Sequence, residues 1–134
     1  SVRFINDSKA TNVGACSAAL YGFGKQTKNI VLIAGGDGKG ASFEPLREPI
    51  SSHAKHVVLL GRDAERLEET LSDVVSTSRA DDIAQAAQEA LSKTGDGDIV
   101  LLSPACASLD MFESFEARGD EFVEAVTKLG GVRD

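Results

Sequence analysis

Apolar positions along this chain follow two alternating rhythms. The unbroken runs Ile30-Val31-Leu32-Ile33-Ala34, Val57-Val58-Leu59-Leu60 and Ile99-Val100-Leu101-Leu102 have the signature of strands covered on both faces, and the first two stop at glycine. An opening stretch with Val2, Phe4 and Ile5 predicts another strand. Between the runs the apolar spacing changes to three and four. Val13, Cys16, Leu20 and Phe23 predict a one-faced helix that Asn12 caps and Gly24 ends. Phe43, Leu46 and Ile50 share a face in a segment where Pro45 fits a first turn and Pro49 limits the length. A short helix is predicted from Ala64 to Leu71, followed by a brief strand at Val74-Val75. Asp81 is the expected cap of a helix carrying Ile83, Ala87, Ala90 and Leu91 and closed by Gly95. Ile99 to Leu102 reads as the last strand, and Phe115, Phe122, Val126 and Leu129 mark a last helix before Gly130-Gly131. The alternation predicts an α/β fold: a Rossmann-like, three-layer domain with a mostly parallel sheet flanked by helices and joined by right-handed crossovers.

At 134 residues the chain suits one compact domain, residues 1–134, with no second domain required. Its net charge of -7, with Lys and Arg scattered, argues against a nucleic-acid surface. Cys16 and Cys106 lie far apart with no Cys or His at metal-ligand spacing, so neither a zinc site nor a disulfide scaffold is expected, and a reducing, cytoplasmic setting fits. No apolar run approaches the roughly 18 residues needed to span a bilayer, and no signal-peptide pattern is present. The chain begins at Ser1 and enters its first strand almost at once, which reads as a fragment of a longer protein.

Three strand-end loops carry the candidate chemistry, because a parallel sheet brings them to one edge where helix N-termini also converge. The first, Asn6-Asp7-Ser8-Lys9-Ala10-Thr11-Asn12, holds a carboxylate, an ammonium and hydroxyls. In the second, Gly35-Gly36-Asp37-Gly38-Lys39-Gly40, glycines allow close backbone approach beside one flexible cation. It is not a Walker A loop, since Gly40 stands where Ser or Thr would follow the lysine, and Ile33 where the first glycine belongs. It does match a relaxed dinucleotide pattern, Gly36-x-Gly38-x-x-Ala41, with Arg62 placed to meet a 2′-phosphate. The third, Ser103-Pro104-Ala105-Cys106-Ala107-Ser108-Leu109-Asp110, is small and hydroxyl-rich and leads to the last helix.

Together the three loops, with Phe115-Glu116-x-Arg118-Gly119-x-x-Phe122, closely resemble the C-terminal domain of the Mur ligases over essentially the whole chain. The resemblance implies one domain of a three-domain, ATP-dependent amide ligase of peptidoglycan synthesis. Its third loop favours the members that join D-glutamate to UDP-N-acetylmuramoyl-L-alanine through an acyl phosphate. It further implies that Asp7 accepts hydrogen bonds from the nucleotide ribose. Lys9 would bind nucleotide too and act catalytically, balancing charge at the transferred phosphoryl group. Thr11, Lys39, Ser108 and the backbone amide near Phe115 would hold the two carboxylates of D-glutamate. The family's P-loop, Mg2+ ligands and carbamylated lysine belong to a central domain and the UDP-sugar site to an N-terminal one. No metal ligand is therefore expected here, and the isolated domain is expected to be inactive.

Plainer uses stand beside each assignment. Asp7, Ser8 and Asn12 are good helix caps, Lys9 and Lys39 are ordinary surface lysines when taken singly, and Ser108 suits a turn. Phe112, Phe115 and Phe122 read as core aromatics, Cys16 as core, and Cys106 lacks the nearby histidine a nucleophile needs. His53 and His56 read as surface residues, and Arg118 as a pin on the last loop through carboxylates. The rival classes are an NADP-binding Rossmann domain of an oxidoreductase and a noncatalytic interaction module.

Overall fold

The structure, a computed structural model, describes residues 2–108, 114–130 and 132–133. Among these residues six strands, β1 (Arg3–Asn6), β2 (Ile30–Gly35), β3 (Ala54–Leu60), β4 (Ser76–Arg79), β5 (Ile99–Leu102) and β6 (Val132–Arg133), form one sheet in the order β4-β3-β2-β5-β1-β6. Every pairing is parallel. Among the described residues, five α-helices connect them: α1 (Val13–Phe23), α2 (Arg47–His53), α3 (Ala64–Leu71), α4 (Ile83–Ser92) and α5 (Phe115–Lys128).

The strand pleat sorts the core into two layers. Ile30, Leu32 and Ala34 face one side with Cys16 and Leu20 of α1, Ile50 of α2 and Leu67 of α3. Val31 and Ile33 face the other with Ile83 and Ala87 of α4 and Phe122 and Val126 of α5. The unbroken apolar runs follow from this double coverage: consecutive residues point to opposite faces, and both faces are dry. All six residues of β2 and all four of β5 are buried. The expected three-layer α/β architecture is present.

Several local expectations need correction. The fourth strand is Ser76–Arg79, not Val74-Val75, and its polar pattern marks a half-exposed strand near the sheet edge, where an apolar run is not required. Asp82, not Asp81, caps α4, its carboxylate accepting from the Gln85 amide. That helix ends at Ser92, before Gly95, whose amide instead donates to Asp98. Pro49 does not limit its helix but lies in the first turn of α2, where a missing N–H costs nothing. Ile99–Leu102 is not the last strand, because Val132 pairs with Arg3. His56 is buried, both ring nitrogens bonded to the hydroxyls of Ser76 and Ser78. Phe115 is 39% exposed and is not a core aromatic. Phe112, with Leu109, Asp110, Met111, Glu113 and Gly131, lies outside the described residues.

Strand order decides where function can sit. β2, β5 and β1 are neighbours, with Ile33 and Asn6 both in register with Leu102. The chain leaves β1 for β2 across the later β5, so the three candidate loops emerge side by side at one edge.

Candidate functional site

Backbone hydrogen bonds lash the three loops together. The Asp7 amide donates to the Leu102 carbonyl at 2.8 Å, the Gly35 amide to Pro104 at 3.0 Å and the Ala105 amide to Ala10 at 3.0 Å. Asp37 and Ala107 exchange both of their bonds, at 3.0 and 2.8 Å, as an isolated antiparallel bridge. Gly36 is required there, since a Cβ at its φ of 127° would lie 2.3 Å from the Ala107 carbonyl oxygen. Lys39 and Ala105 adopt the left-handed conformation, with φ of 53° and 63°. Such backbone costs roughly 1 to 2 kcal/mol per residue unless its surroundings hold it. The Asp37 carboxylate accepts from the Lys39 amide at 2.9 Å, and Asp63 accepts from Gly38 at 2.7 Å.

A buried cation completes the scaffold. Arg118 of α5 is 2% exposed, and its guanidinium donates to the Ser8 and Cys106 carbonyls at 2.9 and 3.1 Å and to the Ser8 hydroxyl at 3.3 Å. The expected pin on the last loop is present through the Cys106 carbonyl, and the nearby carboxylates Asp110 and Glu113 lie outside the described residues. Ser8 Oγ in turn donates to the Phe115 carbonyl, and Gly119 leaves room for Asn6 and Ser8 to approach α5. The first turn of α5, capped by Ser114, is thereby fixed against the loop after β1.

Among the described residues, three clefts adjoin the loops after β1, β2 and β5. One of about 740 Å³ has Asp7 and Lys9 at its polar end and Ile5, Ala15, Ala19 and Phe23 along its apolar wall. A second, of about 250 Å³, contains Lys9, Ser8, Phe115 and Glu116. The third, about 380 Å³, brings together Thr11, Lys39, Ser108 and Phe115, with Glu116 and Ser114. Lys9 is common to the first two clefts, and Phe115 and Glu116 to the last two. The six candidate residues therefore occupy one continuous edge, with Lys9 between a carboxylate end and a cationic, hydroxyl-bearing end. Lys9 and Lys39 are exposed, Asp7 and Thr11 half-buried and Ser108 buried.

Sequence reasoning gave no role to Ser103, which is fully buried and donates from Oγ to Asp7 Oδ2 at 3.0 Å. The available signal was a lone hydroxyl directly after an apolar strand. Ser8, read as a cap, is instead part of the Arg118 network. Cys16 donates its thiol proton to the Ser103 carbonyl at 3.0 Å, and burial pushes that thiol up to about 12, which disfavours the thiolate. Cys106 is buried. Among the described residues no group of three His, Cys, Asp or Glu could hold a metal ion, and no helix is long and apolar enough to cross a membrane.

The glycine loop is not followed by a helix N-terminus. A 3-10 turn at Glu44–Leu46 comes first. A dinucleotide-binding loop needs the helix start to meet the pyrophosphate, so the NADP geometry is missing. Arg62, the supposed 2′-phosphate contact, approaches Asp37 at 3.9 Å.

Comparison with known proteins gives a consistent picture. The family described as Mur ligase, glutamate ligase domain, matches residues 1–106. The chain is similar to proteins named UDP-N-acetylmuramoylalanine--D-glutamate ligase. That of Pseudomonas putida is 55% identical over 129 residues, covering 96% of this chain and 29% of the relative. That of Chromohalobacter salexigens is 54% identical over 122 residues, covering 90% and 27%. The Coxiella burnetii relative is 47% identical over 129 residues, covering 96% and 29%. The chain thus spans less than a third of the length of the relatives it matches. An oxidoreductase reading has no support among these matches.

Proposed function

The chain belongs to the Mur ligase family through its glutamate ligase domain, and from that premise we propose that it supplies the incoming-amino-acid site and part of the nucleotide site of an ATP-dependent ligase. The whole enzyme joins D-glutamate to UDP-N-acetylmuramoyl-L-alanine in peptidoglycan synthesis, in the cytoplasm. The substrate carboxylate attacks the γ-phosphorus of ATP, releasing ADP and forming an acyl phosphate. The D-glutamate amine then attacks the acyl carbon, phosphate leaves, and the amine gives up a proton as the amide forms.

One observation carries the reading: Thr11, Lys39, Ser108 and Phe115, drawn from three loops and a helix start, line a single cleft. A dianionic amino acid needs donors at two separated points. Lys39, the Thr11 and Ser108 hydroxyls and the first turn of α5 offer them. Lys9, on the shared rim toward Asp7, is where charge would be balanced as the phosphoryl group moves. Asp7 takes the ribose hydroxyls. Fixing both carboxylates aims the amine, and such orientation is worth roughly 7 to 11 kcal/mol in ideal cases.

The described residues offer no ligand set for Mg2+, and no step of this chain is routed through it. In this reading the P-loop, Mg2+ ligands and UDP-sugar site lie in the remainder of the parent enzyme, and the domain alone does not turn over.

The test is D-glutamate-dependent ADP release by the full-length parent. Lys39→Ala and Ser108→Ala should raise the KM for D-glutamate about 10- to 100-fold, the worth of a hydrogen bond to a charged group, with the KM for ATP unchanged. Unchanged D-glutamate kinetics in both variants would return the cleft to scaffold.

A further inference from the structure

We propose that Ser103 is a positioning residue for Asp7, fixing the carboxylate in the rotamer that receives the nucleotide ribose. The proposal rests on reading Asp7 as the ribose acceptor, and adds a residue to that site.

Ser103 follows four buried apolar residues, Ile99 to Leu102, and is itself fully buried. A hydroxyl in such a place is costly unless it is hydrogen-bonded, whereas alanine would carry no such cost. Its Oγ donates to Asp7 Oδ2 at 3.0 Å, across adjacent parallel strands. The backbone of Ser103 is held on both sides. Its amide donates to the Ile33 carbonyl at 3.3 Å, and its carbonyl accepts the Cys16 thiol of α1 at 3.0 Å. Pro104 next to it restricts Ser103 to extended backbone.

Asp7 itself is half-buried at the rim of the large cleft. An unanchored carboxylate there would sample several rotamers, and the ribose would meet the right one only part of the time. The Ser103 bond selects one rotamer and commits Oδ2. Oδ1 accepts no hydrogen bond within the described residues, which leaves it for the ligand. A group pre-set in this way binds without first being ordered.

The experiment compares ATP with 2′,3′-dideoxyadenosine triphosphate in the full-length parent enzyme, at saturating UDP-N-acetylmuramoyl-L-alanine. The wild type should prefer ATP in kcat/KM by about 10-fold or more, from hydrogen bonds to a charged acceptor. Ser103→Ala should reduce that preference at least about fivefold. The KM for D-glutamate and the melting temperature should stay near wild type. Added to Asp7→Ala, which removes the acceptor altogether, Ser103→Ala should change the preference no further. Should Ser103→Ala fail to fold, the near-isosteric Ser103→Cys, a weak donor, is read in its place with the same expectation. Full retention of the ATP preference in the Ser103 variant, while Asp7→Ala loses it, overturns the positioning role alone. A wild type without the preference, or an Asp7→Ala variant that keeps it, overturns the ribose reading and this proposal with it.

Discussion

At the amino-terminal edge of the sheet Asn29, His56 and Asp98 are buried, and at the carboxyl-terminal edge Ser8, Ser103, Ser108 and Arg118 are buried too. The first set closes the chain on itself. Asn29 accepts from the Lys25 amide and donates to the Phe23 carbonyl, Asp98 takes the Gly95 amide and the Lys55 ammonium, and His56 is held between two serines. In the second set Ser8, Ser103 and Arg118 tie separate loops together, while Ser108 lines a cleft with Thr11 and Lys39 and Lys9 lies along the neighbouring one. Left-handed non-glycine backbone shows the same contrast, with Lys39 and Ala105 at the carboxyl edge against Lys28 at the other. Buried polarity at one edge stabilises turns; at the other it stiffens a platform from which charged groups project.

The sharpest way to separate the edges is to remove a projecting charge. Lys9→Ala should lower kcat of the full-length parent about 10²- to 10³-fold, the range for loss of a preorganised electrostatic group. Chemical denaturation of the variant should match the wild type. A variant that unfolds earlier, or turns over normally, would blur the division.

The converse change is Asp98→Ala. It strips the Gly95 amide and Lys55 of their acceptor and should cost about 1.5 to 3 kcal/mol of stability, as expected for hydrogen bonds to a charged group. D-glutamate and ATP kinetics should be unaltered below the melting transition. Altered substrate KM values would mean the amino-terminal edge reaches the site.

The smallest effect concerns pH. Burial, helped by Lys93 and opposed by Glu89, holds the His56 imidazole below its ordinary value of 6.5. The unfolded chain therefore takes up this proton first as pH falls. The His56 contribution to stability is full above 6.5 and declines as pH drops through 6.5 toward the lower folded value. His56→Gln should flatten urea-denaturation midpoints measured between pH 7.5 and 5.5, roughly the ordinary histidine range. An equally steep dependence in the variant would assign the effect to other groups.

Central elements were legible in the sequence because double burial leaves an uninterrupted apolar signal, as in Ile30 to Ala34 and Ile99 to Leu102. Edge elements were not: β4 carries Ser, Thr, Ser and Arg, and half-exposure erases the pattern. His56 was misread for a related reason. Its burial depends on hydroxyls of a neighbouring strand twenty residues away in the chain. Asp81 and Asp82 are both good caps, and only the backbone path chose between them. The candidate site was legible as residue types on three loops and as a family resemblance. Ser103 and the Arg118 network were not, since a hydrogen bond between distant loops leaves no local periodicity.

The sequence by itself determined the βα alternation, the two-sided burial of the central strands and the small, glycine-rich, charged composition of the strand-end loops, all of which are local or periodic properties. The order β2-β5-β1 was decided only by the tertiary structure, and with it the meeting of Asp7 with Ser103, of Ser8 with Arg118, and of Thr11, Lys39, Ser108 and Phe115 around one cleft. The physical reason is that strand order comes from how both faces of the sheet are covered at once. No short stretch of chain carries that information.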